Sequence, residues 1–192
     1  MSKPPKDGKL IYHLTSLENL EGILKHGLIA RRNLNLFDDV AEQEIISHRQ
    51  VMGLDEYVPF HFFAGTPFDG AVQKKHSKKE FIFLTVTRLF AEKSKFQILT
   101  QHPLSDVKPL PLSYSDGIQE INWRIMELRD YSNHECSEIC MAECLSPIVI
   151  TPENLFCVFT PNEEVKNKVL QIKANIKSGS FNVNVNPTFF IR

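Results

Sequence analysis

The sequence predicts an α+β fold, in which helices and strands are mixed along the chain. The first observation is the spacing of the apolar residues, which changes between the helical and the strand period from segment to segment. The predicted elements follow the order β, α, β, α, β, β, α, α, β, β, α, β. The second is size, because 192 residues with 42% hydrophobic side chains suit a single core. No repeat or linker divides the chain, so we expect one domain over residues 10–192 after a flexible arm over residues 1–9.

Composition and charge limit the classes of function. A formal net charge of −1 is unremarkable, so any contact with nucleic acid must come from a local basic patch. No apolar run approaches the roughly 20 residues of a membrane span, and the polar start has no signal-peptide core. Four cysteines, three of them at positions 136, 140 and 144, do not resemble a secreted disulfide framework. We therefore expect a cytoplasmic protein without membrane contact.

The first unit is predicted to be a strand, a capped helix and a second short strand. Residues 10–14 are β-prone, and Thr15 with Glu18 has the spacing of a capping box. Gly27 is predicted to end the helix in a left-handed conformation, and residues 28–30 leave as an apolar run. His13 stands at the predicted end of the first strand. It is either a structural histidine or a residue that binds a polar ligand together with the exposed N–H groups at the helix N-terminus.

A loop over residues 33–39 and a weak helix over residues 40–50 follow. Arg49, near the end of that helix, suits phosphate or carboxylate because its guanidinium is permanently charged and forked. The alternative is a solvated arginine that complements the helix dipole. Residues 57–63 form an aromatic strand, in which Pro59 predicts an edge or a bulge.

A loop over residues 65–70 leads to the one dense basic run, residues 73–80. Its lysines are either solvated or contact nucleic-acid phosphates, and they are Lys74, Lys75, Lys78 and Lys79. A clear buried strand follows over residues 81–87, and a weaker one over residues 96–99. Residues 101–115 contain three prolines and are predicted to form a long irregular connection, a kind of loop that is often functional.

The next helix, over residues 117–129, carries Trp123, the only tryptophan, as a predicted core anchor. Glu143 then stands among apolar residues where a helix should give way to a strand. A carboxylate is costly in such surroundings without a partner, so Glu143 is the preferred catalytic carboxylate. Glu135 and Glu138 on the preceding helix are its competitors. The cysteines lack the paired spacings of a zinc site and are predicted to be core residues, so no metal is expected.

The C-terminal third is predicted to contain a strand over residues 155–160 and a helix over residues 165–177. Glu163 and Glu164 precede this helix, as its dipole favours. Residues 181–185 alternate apolar side chains with asparagine, as a half-buried strand does, and residues 188–191 are expected to close the sheet.

Three segments together resemble the DarT family, NAD-dependent DNA ADP-ribosyltransferases that are the toxins of toxin–antitoxin pairs. The first is Tyr-His-Leu-Thr at residues 12–15 with the Glu-Asn-Leu and Gly-Leu that follow. The second is Arg49 ahead of Tyr-Val-Pro-Phe at residues 57–60, and the third is Met-Ala-Glu-Cys-Leu at residues 141–145. The resemblance implies an ADP-ribosyltransferase fold, in which two small β-sheets flanked by helices meet at a cleft that holds NAD.

The resemblance also implies the residues of the site. Glu143 and Arg49 would be catalytic, with Glu143 orienting the ribose and Arg49 holding the pyrophosphate or helping to remove a proton. The residues expected to bind NAD are His13, Leu14, Thr15, Asn19, Leu28 and Tyr57. The four lysines of the basic run would contact DNA. The segment between Arg49 and the strand is shorter than in the family, and residues 65–70 depart from the family's Ser-Pro-Met, which leaves the modified base open.

Further expectations concern partners. The resemblance implies NAD as co-substrate, single-stranded DNA as substrate and a macrodomain-type ADP-ribosyl hydrolase as antitoxin, and we expect a monomer. Two other classes remain open. One is an NAD-dependent transferase that acts on protein, or on RNA as a 2′-phosphotransferase does. The other is a non-catalytic relic of the fold that binds nucleotide or DNA.

Overall fold

The computed structural model describes residues 4–34, 43–105 and 108–191. Within these ranges its strands are β1 (Leu10–Ser16), β2 (Val58–His61), β3 (Phe81–Thr87), β4 (Gln97–Leu99), β5 (Leu112–Ser113), β6 (Glu143–Ser146), β7 (Cys157–Thr160) and β8 (Asn182–Val185). The α-helices are α1 (Leu20–His26), α2 (Gln43–Val51), α3 (Pro67–Lys75), α4 (Arg88–Lys93), α5 (Tyr114–Glu120), α6 (Trp123–Leu128), α7 (His134–Cys140) and α8 (Glu163–Ile176). The α+β class is confirmed. No helix in the described part is long and apolar enough to cross a membrane.

The strands form one eight-stranded sheet with the order β5-β4-β6-β2-β1-β3-β7-β8. All neighbours are antiparallel except β7 and β8. The sheet consists of two four-stranded halves, which meet between β2 and β1. In the described residues, these two strands are paired only at Tyr12 and His61. By contrast, β1 pairs with β3 along all seven of its residues. The two separate sheets of the prediction are therefore halves of one sheet, joined at a narrow point from which the strands diverge.

Pro59 explains why the two halves separate. It lies in β2, which is an internal strand between β6 and β1 and not the predicted edge. Its carbonyl accepts a hydrogen bond from His13 Nδ1 at 2.8 Å, so the side of Pro59 that lacks an N–H faces β1. The backbone ladder cannot continue there, and a side chain of β1 takes its place.

The main core lies on one face of the sheet, where strand residues pack against helices. Ile11, Phe60, Leu84 and Ile98 contribute from the strands, and the helices α1, α6, α7 and α8 cover them. Trp123 belongs to this core, as predicted, and its Nε1 donates to the Ile118 carbonyl at 2.8 Å. The opposite face carries a smaller aromatic cluster, which contains Tyr12, Phe68, Phe83, Phe159, Phe189 and Phe190.

The boundaries of the first unit differ from the prediction. The strand β1 continues to Ser16, whose side chain accepts from the Glu18 N–H and caps the 3-10 turn Leu17–Asn19 ahead of α1. Thr15 is therefore a strand residue, because the longer pairing with β3 outweighs the local capping pattern. Gly27 ends α1 as predicted, but with φ of 88° and ψ of 164° its conformation is extended at positive φ and not the predicted left-handed helical one. The predicted strand over residues 28–30 is wrong, since Leu28 makes only an isolated bridge with Ile150.

Other boundaries also move. The predicted loop over residues 65–70 contains the start of α3, which Thr66 and Asp69 cap reciprocally. The predicted helix over residues 117–129 is two helices, α5 and α6, with Asn122 capping the second. Residues 188–191 do not close the sheet; the 3-10 turn Pro187–Phe189 places Phe189 against Tyr12 instead. Of the predicted helix over residues 40–50, Val40 and Ala41 lie outside the described residues.

Residues 4–9 of the predicted arm contact Arg88, the first residue of α4. Its guanidinium donates to the carbonyls of Pro5 at 2.6 Å and Lys6 at 3.0 Å, and it lies over the rings of Phe62 and Trp123. The segment therefore runs along the main core.

Candidate active site

Arg49 and Glu143 form a buried ion pair at the centre of the candidate site. Arg49 Nη1 donates to both carboxylate oxygens of Glu143, at 2.7 Å to Oε1 and 2.6 Å to Oε2. Arg49 Nη2 donates to the Leu54 carbonyl at 3.3 Å. Glu143 is 6% exposed and Arg49 is 8% exposed. Residues 94 positions apart are thus brought together, and each charge compensates the burial of the other.

Glu143 opens β6 directly after α7, at the transition that the sequence predicted. It pairs with Leu99 on β4 and with His61 on β2, and His61 pairs in turn with Tyr12. Side chains that stand directly opposite one another project from the same face of a sheet. Glu143, His61 and Tyr12 therefore share one face, at the point where the two halves of the sheet meet. The competitor Glu135 is exposed, and Glu138 faces His134 on α7.

His13 lies within β1 and not at its end, where it pairs with Leu84. Because a carbonyl only accepts, the bond to Pro59 requires His13 Nδ1 to carry the proton and leaves Nε2 as an acceptor. Burial lowers the pKa of His13 to about 4 because it disfavours the charged ring, and the bond to Pro59 opposes that effect. His13 is thus a neutral acceptor beside the opening between β1 and β2.

The other residues predicted to bind NAD lie in different surroundings. Asn19 Nδ2 donates to Thr15 Oγ1 at 3.2 Å, which joins two of them. Leu14 is packed in the aromatic cluster on the other face of β1 from His13. Leu28 is in the main core, and Tyr57 packs beside Leu54, Leu99 and Leu145.

The basic run is not brought to the ion pair. Lys74 and Lys75 end α3, and Lys78 and Lys79 follow it. The basic run leads into Phe81, the first residue of β3, which pairs with Ser16. Glu143 is connected to β3 at a different level of the sheet, because the row of paired residues that starts at Glu143 passes through His61 and Tyr12 and reaches Thr85. Phe81 and Thr85 are four residues apart on β3, which corresponds to about 13 Å along the strand. A concavity of about 640 Å³ at this end is lined by charges of both signs: Glu18, Glu21, Lys78, Lys79, Glu80 and Lys168.

Two histidines and an aspartate that the prediction overlooked stand near the ion pair. His61 Nδ1 donates to the Ala142 carbonyl at 3.1 Å, and its ring lies 5.7 Å from that of Phe68. Burial lowers the pKa of His102, while the charge of Glu143 acts in the opposite direction. Asp69 is fully buried, and its Oδ1 has no hydrogen-bond partner in the part of the chain that the structure describes. The signals available in the sequence were a histidine inside the predicted strand over residues 57–63, at position 61, and one three residues after the predicted strand over residues 96–99, at position 102.

Arg31 adds a further positive charge to the neighbourhood of Arg49. Burial and the charge of Arg49 both lower the pKa of Arg31. Arg32, the next residue, forms an ion pair with Glu56. This pair connects the 3-10 turn Arg31–Asn33 to the 3-10 turn Leu54–Glu56, whose Leu54 carbonyl accepts from Arg49.

Comparison with known families decides the identity of this fold. The family model described as "ssDNA thymidine ADP-ribosyltransferase, DarT" matches residues 12–191. The chain belongs to the DarT family. This confirms the predicted family and its class of enzyme, an ADP-ribosyltransferase that acts on single-stranded DNA. Among curated proteins, none matches the sequence.

Solved structures of DarT proteins have the same fold. DarT of Thermus sp. 2.9 in complex with ADP-ribosylated single-stranded DNA is 18% identical, with all of both chains covered and a TM-score of 0.85. The same protein in complex with carba-NAD⁺ is 17% identical, with 96% of this chain and 99% of that chain covered and a TM-score of 0.80. DarTG of Thermosipho africanus in complex with ADP-ribose is 20% identical, with 95% of this chain and 51% of that chain covered and a TM-score of 0.72.

Proposed function

We propose that this DarT protein transfers ADP-ribose from NAD to a base of single-stranded DNA and releases nicotinamide. The buried pair of Arg49 and Glu143, beside the opening between the halves of the sheet, carries the proposal. Thymidine, the base in the description of the family, is the first acceptor to test. The Thermus structures with carba-NAD⁺ and with ADP-ribosylated DNA support NAD as donor and DNA as acceptor.

Glu143 supplies the charge that the reaction requires. When the bond to nicotinamide breaks, positive charge develops on the anomeric carbon of the ribose. A carboxylate held in a buried site stabilises that charge more than one in water does, and it can also accept a hydrogen bond from a ribose hydroxyl. Glu143 therefore accelerates the departure of nicotinamide.

Arg49 acts through its charge. A guanidinium keeps its proton under ordinary conditions and has no acceptor atom, so a role in proton removal is unfavourable. Its Nη1 holds the Glu143 carboxylate in place, and the fork of N–H groups on a guanidinium suits the pyrophosphate of NAD. We therefore assign Arg49 an electrostatic and positioning role.

The remaining contacts follow the sequence prediction. His13 Nε2 is available to accept from a hydroxyl of the nicotinamide ribose, and Thr15 with Asn19 lies beside it. The Leu14 backbone, Leu28 and Tyr57 complete the proposed NAD site. We propose a monomer that acts in the cytoplasm without a metal, with an antitoxin of the macrodomain hydrolase type as its partner.

The decisive experiment is incubation of the purified protein with NAD and mixed-sequence single-stranded DNA, read by mass spectrometry. We expect a gain of one ADP-ribose on DNA and a loss of at least about 10²-fold in rate in Glu143→Ala. Glu135→Ala, at an exposed position of α7, is the matched control and should retain full activity. Label on RNA or protein in place of DNA, or full activity of Glu143→Ala, would contradict the proposal.

A further inference from the structure

We propose that His61 is the group that takes the proton from the attacking nitrogen of the DNA base, and that Asp69 stabilises the imidazolium that results. The inference rests on the proposed function, because it assigns one step of DNA modification.

The position of His61 suits a group that meets the acceptor. It stands directly opposite Glu143 in the pairing of β2 with β6, so the two side chains project from the same face of the sheet. Its ring is held on two sides, by the Ala142 carbonyl at 3.1 Å and by the Phe68 ring at 5.7 Å. At 7% exposed, it is as buried as the ion pair itself.

The hydrogen bond to Ala142 determines which nitrogen can act. A carbonyl oxygen accepts, so Nδ1 must carry the proton of the neutral ring, and Nε2 has a free lone pair. Within the described residues, Nε2 of His61 makes no hydrogen bond. The fold therefore presents an unprotonated nitrogen beside Glu143, with the ring fixed in the tautomer that a base requires.

Asp69 is the compensating charge. Its Oδ2 accepts from the N–H groups of Gly65 and Thr66 at 3.0 and 2.9 Å, whereas its Oδ1 is buried without a partner. Burial raises the pKa of Asp69, and the charge of His61 is the largest influence that opposes this. Phe68, the residue before Asp69, packs against the His61 ring, so the Asp69 carboxylate is in the neighbourhood of that ring without a direct hydrogen bond to it. A negative charge there favours a proton on His61.

The other nearby groups are less suited to the role. Arg49 has no acceptor atom. His102 Nδ1 accepts from the Leu104 N–H at 3.3 Å, so its neutral ring presents Nε2–H, which is a donor. His13 also has an Nε2 without a hydrogen bond among the described residues, but the proposed NAD site already uses that nitrogen to accept from a ribose hydroxyl.

A base nitrogen that carries hydrogen forms a bond to the anomeric carbon while the bond from that carbon to nicotinamide breaks. Nicotinamide leaves as a neutral molecule with the electron pair of the broken bond. The proton of the base nitrogen passes to His61 Nε2, and the imidazolium later releases it to solvent.

The test uses His61→Asn in the intact protein, because the asparagine amide can still donate to the Ala142 carbonyl but has no basic nitrogen. We expect transfer to DNA to fall at least about 10²-fold, while the Kd for NAD changes less than about two-fold. In His61→Ala, added imidazole should restore part of the transfer rate. His134→Asn, at an exposed histidine of α7, should change neither quantity.

Each result separates the inference from the proposed function. If the wild-type protein does not modify DNA, the proposed function fails and the inference fails with it. If the wild-type protein modifies DNA and His61→Asn does so at the same rate, the inference alone is overturned. Asp69→Asn retains an oxygen for Gly65 and Thr66, and we expect it to slow transfer about ten-fold; an unchanged rate would remove Asp69 from the step.

Discussion

At the scale of single residues, the site depends on how each buried charge or ring is compensated. Glu143 would be costly among the apolar residues of β6, and Arg49 removes that cost by donating to both of its oxygens. Removal of either partner from a buried pair leaves the other uncompensated, which typically costs about 3–5 kcal/mol. The same pair therefore serves both stability and the proposed chemistry.

His13 makes stability depend on pH. Its pKa is about 4 in the folded protein and about 6.5 in the unfolded chain, so the unfolded chain binds a proton first as the pH falls. The contribution of neutral His13 is complete above pH 6.5 and is lost between about pH 6.5 and 4. The upper limit of the loss is about 3 kcal/mol. We expect His13→Asn, which can still donate to Pro59, to show a smaller fall in the free energy of unfolding between pH 7.5 and 4.5.

Denaturant unfolding at the two pH values checks this prediction. His26→Asn is the control, since His26 is an exposed residue at the end of α1. An equal pH dependence in wild type and His13→Asn would show that His13 is not the source.

At the scale of elements, strand pairing outweighs local capping signals. Thr15 has the sequence of a cap but is a residue of β1, because seven paired residues with β3 extend the strand to Ser16. The predicted loop over residues 65–70 instead contains the start of α3. There Thr66 and Asp69 form a capping box of the kind that was predicted at Thr15. A capping pattern is satisfied only where the adjacent chain is free to turn.

Two glycines allow a controlled comparison of alanine substitutions at α1, since Gly22 lies inside the helix and Gly27 directly follows it. Gly27 has φ of 88°, and an added Cβ would lie 2.4 Å from Val149 Cγ1. We expect Gly27→Ala to lower the free energy of unfolding by about 1–3 kcal/mol. Gly22 lies inside α1 with open space around an added Cβ, so Gly22→Ala should raise it by about 0.5–1 kcal/mol. Thermal unfolding of both variants is the measurement, and a stabilised Gly27→Ala would contradict the assigned backbone conformation.

At the scale of the whole molecule, a sheet of two halves positions the site. The halves meet at Tyr12 and His61, and the proposed NAD site lies where β1 and β2 diverge beyond that pair. The family's structures have this same fold, with TM-scores of 0.72–0.85. The domain over residues 10–192 and the arm before it remain our proposal for how the chain is divided.

The distance between the basic run and the ion pair leads to a prediction about DNA affinity. We expect replacement of Lys74, Lys75, Lys78 and Lys79 by glutamine to raise the KM for single-stranded DNA and reduce its salt dependence. The kcat should not change, because about 13 Å separates this end of the sheet from the row of paired residues that starts at Glu143. Steady-state rates at two salt concentrations test this, and an unchanged KM would show that the four lysines do not contact DNA.

The sequence alone determined the class of fold, the family, the helix stop at Gly27 and the position of Glu143 at the start of a strand. These depend on local spacing and on short motifs, which a single chain displays directly. Only the tertiary structure decided that Arg49 meets Glu143, that Pro59 interrupts the ladder beside β1, and that His61 stands opposite Glu143 with Nε2 free. Each of these is a contact between residues more than 40 positions apart, and no local pattern specifies the register or the hydrogen bond that creates it.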